Sequence, residues 1–159
     1  MRIKPVPAPP DGVDRLLEIR DGLPLVPEPE ESCCERLVHR ACVVNAETAR
    51  DWLSFLRGLG LAAEGDAGYH RTRDDPNGLG EALLEGVYGA REVRTILDDA
   101  GEPLAVDEVF ERFEAVPRWE RHRNPDWEAI WRERVERLLG WLALFGLADR
   151  RDGTYALEE

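Results

Sequence analysis

The sequence predicts a mainly α protein with two small β-hairpins, built as two versions of one unit of three helices followed by a hairpin. Three observations lead there. Apolar residues recur at i, i+3, i+4 and i+7 through most of the 159 residues, the stripe of amphipathic helices. The stretches LGLAAEGDAGYHRTR (59–73) and FGLADRRDGTYALEE (145–159) each place two short apolar runs around a charged tip, the pattern of a strand, turn and strand. These stretches, with the residues just before them, also align without a gap at an offset of 86 residues, pairing Leu53 with Leu139, Leu56 with Leu142, Gly60 with Gly146 and Leu61 with Leu147. Ala62 with Ala148, Asp66 with Asp152 and Tyr69 with Tyr155 complete the alignment, which marks an internal repeat.

In chain order, residues 1–12 read as a flexible proline-rich arm and 13–73 as the first unit. GVDRLLEIRDGLPL supplies its first helix through Val13, Leu16, Leu17 and Ile19. A second helix spans about 30 to 42, with Cys34, Leu37, Val38, Ala41 and Cys42 on one face, so that these thiols act as small buried hydrophobes. NAETARDWLSFLRGLG is the third, capped by Asn45, with Trp52, Leu53, Leu56 and Leu59 together. Strands Leu61 to Glu64 and Gly68 to Thr72 close the unit. Residues 74–80 read as a hydrophilic linker, 81–159 as the second unit, and GEALLEGVYG as a connecting helix that packs the halves together.

In the second unit, Val93, Ile96, Leu97 and Ala100 form the stripe of a helix that Gly101 and Pro103 stop. A short helix follows with Val106, Val109, Phe110 and Phe113 inward and Asp107 and Glu108 at its positive end. The segment EAVPRWERHR is inserted before a third helix of about 21 residues, for which Asn124 is the expected N-cap and Pro125 the first helical position. Trp127, Trp131, Val135, Leu138, Leu142 and Phe145 make its stripe, and Gly146 ends it. Strands Leu147 to Asp149 and Thr154 to Leu157 flank a D-G turn.

AREVRTILDDAGEPLAVDEVF followed by ERLLGWLALFGLADRRDGTYAL resembles the winged helix-turn-helix superfamily over about residues 88–157. The order of elements and the helix-Leu-Gly-Leu-hairpin ending carry the resemblance. It implies a tandem winged helix-turn-helix, mainly α with small β-hairpin wings, in the α+β class. Two departures mark it: the third helix is long, and the insertion removes the tight turn expected before it.

Charge sets the habitat. There are 33 acidic residues against 21 basic ones, for a net charge of −12, and Lys4 is the single lysine. This composition resembles cytosolic proteins of extreme halophiles such as haloarchaea, in which dense carboxylates keep a surface hydrated while molar salt screens self-repulsion over about 3 Å. The N-terminal run is neither an apolar signal core nor basic and amphipathic, and no run approaches the roughly 18 apolar residues of a membrane span. A cytoplasmic, soluble protein without membrane contact is expected.

Catalytic chemistry has no visible constellation. His39, His70 and His122 stand far apart, no nucleophile motif or phosphate loop occurs, and GLGEALLEG reads as a glycine-interrupted helix. No catalytic residue, cofactor or metal site is assigned. His39 and Cys42 at i, i+3 would need further ligands that the sequence does not supply. Cys33, Cys34 and Cys42 form neither a disulfide framework nor a zinc ribbon.

Nucleic-acid binding is the sharper reading. Arg118, Arg121, Arg123, Arg132, Arg134 and Arg137 face five acids over the same stretch, a local charge of +1, and Arg150 and Arg151 occupy the second wing tip. The resemblance implies that the third helix enters the major groove and the wing meets phosphate. The competing reading pairs these arginines along a solvated helix, as in Glu128 with Arg132 and Glu133 with Arg137. Glu64, Gly65 and Asp66 hold the equivalent tip positions of the first wing, so double-stranded DNA, if bound, meets the second unit. The expected function is a non-enzymatic DNA-associated transcriptional regulator. The alternative is a protein-interaction module without DNA contact, using Trp119, outside the stripe, and Ile130 and Trp141, off the main stripe, toward a homodimer or another protein.

Overall fold

The computed structural model describes residues 3–72 and 77–157. Residues 73–76, mostly within the expected linker, lie outside the described residues. The chain divides into two compact units, Met1–Tyr88 and Gly89–Glu159, so the helix read as a connector belongs to the first unit.

The first unit runs α1 (Val13–Asp21), α2 (Glu30–Arg40), α3 (Ala46–Gly58), β1 (Ala62–Gly65), β2 (Gly68–Arg71) and α4 (Leu79–Gly86). Asn45 caps α3 as expected, its side chain accepting from the Thr48 amide at 2.8 Å. Leu16, Ile19, Leu37, Leu53, Phe55 and Leu56 form the unit's core with the sulfurs of Cys33 and Cys34. The arm is not free: Ile3 and Val6 are buried, and the Ile3 amide donates to Gly86 O at 2.9 Å while its carbonyl accepts from Tyr88 at 2.7 Å. Ile3 and Val6, three positions apart, supply the apolar side chains that the arm buries, and the surrounding prolines obscured that.

α2 ends at Arg40, earlier than expected, and Cys42 sits exposed in a left-handed conformation at φ 58. Cys33, one position off the predicted face, is buried instead. The first hairpin gains a third member that its composition hides, because Glu28 and Tyr69 exchange backbone hydrogen bonds at 3.0 and 2.8 Å.

The second unit runs α5 (Ala90–Ala100), β3 (Leu104–Ala105), α6 (Val106–Glu111), α7 (Arg118–Arg123), α8 (Trp127–Leu144), β4 (Ala148–Arg151) and β5 (Thr154–Leu157). Gly101 stops α5 at φ 64, and the Glu108 carboxylate accepts from the Ala105 amide at 3.0 Å where α6 begins. The small sheet has order β3-β5-β4, all antiparallel. α8 begins later than expected: Asn124 accepts from the Asp126 amide with its side chain, a turn that delays the helix to Trp127 and leaves 18 residues. The inserted segment contains a helix of its own, α7.

The repeat is exact in the hairpins, where β1 and β2 map onto β4 and β5 at the same offset of 86. Both third helices end identically: Leu61 donates to Leu56 O and Leu147 to Leu142 O, across Gly60 at φ 78 and Gly146 at φ 76. Glycine enters that left-handed conformation without the backbone strain that a side chain brings. The extra strand is repeated too, since Glu28 faces Tyr69 as Leu104 faces Tyr155. Leu104 follows Glu28 by 76 positions where Tyr155 follows Tyr69 by 86, a difference equal to the ten residues of EAVPRWERHR. The insertion therefore sits on an otherwise common frame.

Candidate nucleic-acid interface

α8 owes its seat to one continuous apolar side. Trp131, Val135, Leu138, Leu139, Trp141 and Leu142 are buried, and Trp131 stacks on Phe113 with ring centroids 5.8 Å apart. Trp141 is 0% exposed, which corrects its reading as a surface residue. It stands on the buried side because the apolar face of α8 broadens toward its C-terminal end, where Phe145 packs on it at 5.4 Å. Ile130 and Trp119 do reach solvent, at 36% and 56% exposure.

The outward side of α8 carries Glu128, Ile130, Arg132, Glu133 and Glu136, all exposed. Its arginines are held among carboxylates. Arg132 pairs with Asp107 at 2.5 Å and with Glu136 at 3.6 Å, and not with Glu128 as the spacing suggested. The hydrogen bond that it donates to Asp107 holds the Arg132 guanidinium above its ordinary pKa. Asp107 is 25 positions away, so no local pattern announced it. Arg137 pairs with Glu133 at 2.5 Å, as expected. Arg134 lies half-buried over the Trp131 ring at 4.7 Å, where it covers the core edge.

α7 is anchored to α8 by polar contacts. The Trp131 indole N–H donates to the Glu120 carboxylate at 2.6 Å, and the Arg121 guanidinium lies 4.8 Å from the Trp127 ring centroid. Glu120, which the sequence reading passed over, is the half-buried residue of this helix; Arg118, Trp119, Arg121, His122 and Arg123 are exposed. Its position among Arg118, Arg121 and Arg123 resembled that of any acid on a solvated helix, and only the fold reveals the indole it meets.

At the second wing, Arg150 pairs across the hairpin with Tyr155 and lies 5.7 Å from its ring centroid. Arg151, 82% exposed, reaches Asp149 at 2.7 Å. The first wing uses the same tyrosine position with inverted charge. Glu64, opposite Tyr69, bonds Arg57 at 2.8 Å and accepts the phenol hydrogen bond, which together with burial pushes Tyr69 up to about 12. The equivalent of Arg57 in the second unit is Ala143, which offers no partner to a carboxylate at the tip.

The structure thus brings Arg118, Arg121 and Arg123 together on α7, places Arg132, Arg134 and Arg137 along α8, and sets Arg150 and Arg151 on β4. Among the described residues no group of three or more His, Cys, Asp or Glu side chains is placed to hold a metal ion, and no helix is long and apolar enough to cross a membrane.

Neither a curated protein nor a solved structure matches the chain. A family model does, over residues 1–159, and its description agrees with the repeated helix-and-wing frame and with the acidic composition. The chain belongs to the halobacterial double winged helix domain family.

Proposed function

We propose that this protein is a cytoplasmic, non-enzymatic transcriptional regulator that contacts double-stranded DNA through its second unit. The observation that carries this reading is the asymmetry of the two units: exposed cations gather on α7 and on the second wing, whereas the first unit lacks the inserted helix and has Glu64 and Asp66 at its wing tip. α8 contributes less charge than its arginines suggest, because Glu133, Glu136 and Asp107 already engage them. Phosphate contact is therefore assigned to Arg118, Arg121 and Arg123 of α7 and to Arg150 and Arg151 of the wing, Arg151 being 82% exposed even as it reaches Asp149.

Salt constrains the mode of binding. With about six phosphate contacts, the logarithm of affinity falls with a slope near −5 against log salt, so a move from about 0.2 to 2 M costs roughly 10⁵ in binding constant. Arginines there position the duplex, and the net free energy comes from base hydrogen bonds and apolar contact. The test is fluorescence anisotropy with labelled duplexes in molar KCl, comparing wild type with Arg150→Glu plus Arg151→Glu. The double variant should bind at least about tenfold more weakly, from two lost phosphate contacts and two new repulsions. Equal affinities would remove the wing from the interface.

A second reading, a protein-interaction module without DNA contact, is favoured by the mutual pairing of the α8 charges beside exposed Ile130 and, on α7, by the exposure of Trp119. A homodimer or another protein would use these exposed apolar residues. Wild-type protein that binds no DNA, duplex or single-stranded, at any salt concentration selects this second reading.

A further inference from the structure

The inserted helix α7 does not resemble a core element. Of its six residues only Glu120 is half-buried, and that carboxylate is fixed to the Trp131 indole of α8. Residues on a helix advance by about 100°, so with Glu120 turned toward α8, Arg118 and His122 fall on the far side. Trp119 and Arg123, four positions apart, share one flank, and Arg121 takes the other against Trp127. The result is an indole, 56% exposed, with Arg118, His122 and Arg123 on its side of a helix that Glu120 and Arg121 tie to α8.

We propose that α7 is a base-stacking element: Trp119 packs against a nucleobase exposed in locally melted DNA, with Arg118 and Arg123 beside the adjoining phosphates. This rests on the DNA reading above and specifies the DNA it favours. In a perfect duplex the bases are stacked on each other and present only their edges to a protein, so an indole face finds a partner where a base is unstacked. Stacking suits the ionic setting, because it does not depend on counterion release and so persists in salt that weakens phosphate attraction. The cations distinguish this surface from an ordinary apolar docking patch, for they complement a polyanion in a chain whose net charge is −12. The first unit has no counterpart of α7 between α2 and α3, so the element belongs to the second unit alone.

The experiment uses the full chain in molar KCl with three labelled probes of equal length: a perfect duplex, the same duplex with a mismatched central bubble, and an oligodeoxythymidine strand. Wild type should bind the bubble and the single strand more tightly than the duplex, with quenching of tryptophan fluorescence. Trp119→Ala should weaken bubble binding by about 5- to 150-fold, the range for loss of one stacked base, and leave duplex binding unchanged. Trp119→Phe should restore most of the loss, since a smaller ring still stacks. Circular dichroism should show both variants folded, the site being at the surface. Unchanged bubble binding by Trp119→Ala, or a wild-type preference for the perfect duplex, overturns the inference while leaving the DNA reading intact. Failure of wild type to bind any of the three probes overturns both.

Discussion

Cys33 and Cys42 show how one residue type acquires opposite chemistry from its place in the first unit. The Cys33 sulfur lies 3.5 Å from the Glu28 carbonyl oxygen and 3.6 Å from that of Tyr69, so its thiol faces both acceptors of the bridge that supports the first wing. Burial, reinforced by Glu28, pushes this thiol up to about 11, and burial raises Cys34 as well. Cys42 is exposed just past the end of α2. Thiolate is the reactive form, and a group with a pKa of about 11 is only about 1% ionised at pH 9. A thiol reagent at pH 8 should therefore modify one cysteine per chain rapidly, with Cys33 and Cys34 reacting only after denaturation. Cys42→Ser should abolish the fast phase. Rapid reaction of a second thiol in the native protein would show that the α2 face opens readily. Sequence periodicity recognised Cys34 as buried but extended α2 through Cys42, because a helical wheel cannot register where the backbone leaves the helix.

Between elements, α3 and α4 of the first unit approach each other closely through two glycines. A Cβ on Gly86, the last residue of α4, would lie 1.9 Å from the Gly58 carbonyl oxygen at the end of α3, and a Cβ on Gly58 would lie 2.7 Å from Ile3 Cγ1. Gly86→Ala then has two opposed effects. Helix propensity favours alanine by up to about 1 kcal/mol, less at a helix end, whereas overpacking costs about 1–3 kcal/mol. The clash is with backbone, which no rotamer change relieves, so the steric effect should win and lower the denaturation midpoint. Gly65→Ala, with open space around its Cβ, is the control and should change stability by less than about 0.5 kcal/mol. A Gly86→Ala protein as stable as wild type would mean that α3 and α4 separate at little cost. Neither this crossing nor the docking of Ile3 and Val6 was legible in sequence, because glycines that admit a neighbouring backbone look like glycines that break a helix. The wings were legible, since the D-G turn, the helix-ending glycines and the shared tyrosine are local signals. α7 and β3 escaped because both are too short to carry a period, and they exist through partners distant in sequence: Glu120 on Trp131, and Leu104 opposite Tyr155.

At the scale of the whole molecule, 33 acidic residues against 21 basic ones leave charge repulsion as a standing cost of the folded state. The visible ion pairs do little to offset it. Arg57 with Glu64 and Arg151 with Asp149 are substantially exposed, and such pairs contribute about 0–1 kcal/mol each. Salt weakens these attractions and the repulsion together, but the repulsion involves every unpaired carboxylate and acts over greater distances. Screening that contracts from about 10 Å at 0.1 M to about 3 Å at 1 M therefore removes more repulsion than attraction. The thermal midpoint should rise steadily between about 0.1 and 2 M KCl. Screening must be separated from a general effect of salt on apolar burial, and charge reversal does so. Asp98, Glu102 and Glu111 are exposed, and converting all three to Lys changes the net charge from −12 to −6. Asp98 and Glu111 stand near helix C-terminal ends, where a cation is favoured in its own right, so a higher midpoint at low salt would not by itself identify the cause. The slope with salt identifies it: the triple variant should gain clearly less from KCl than wild type, whereas equal slopes would assign the stabilisation to apolar burial and leave the acidic surface without a role in folding stability.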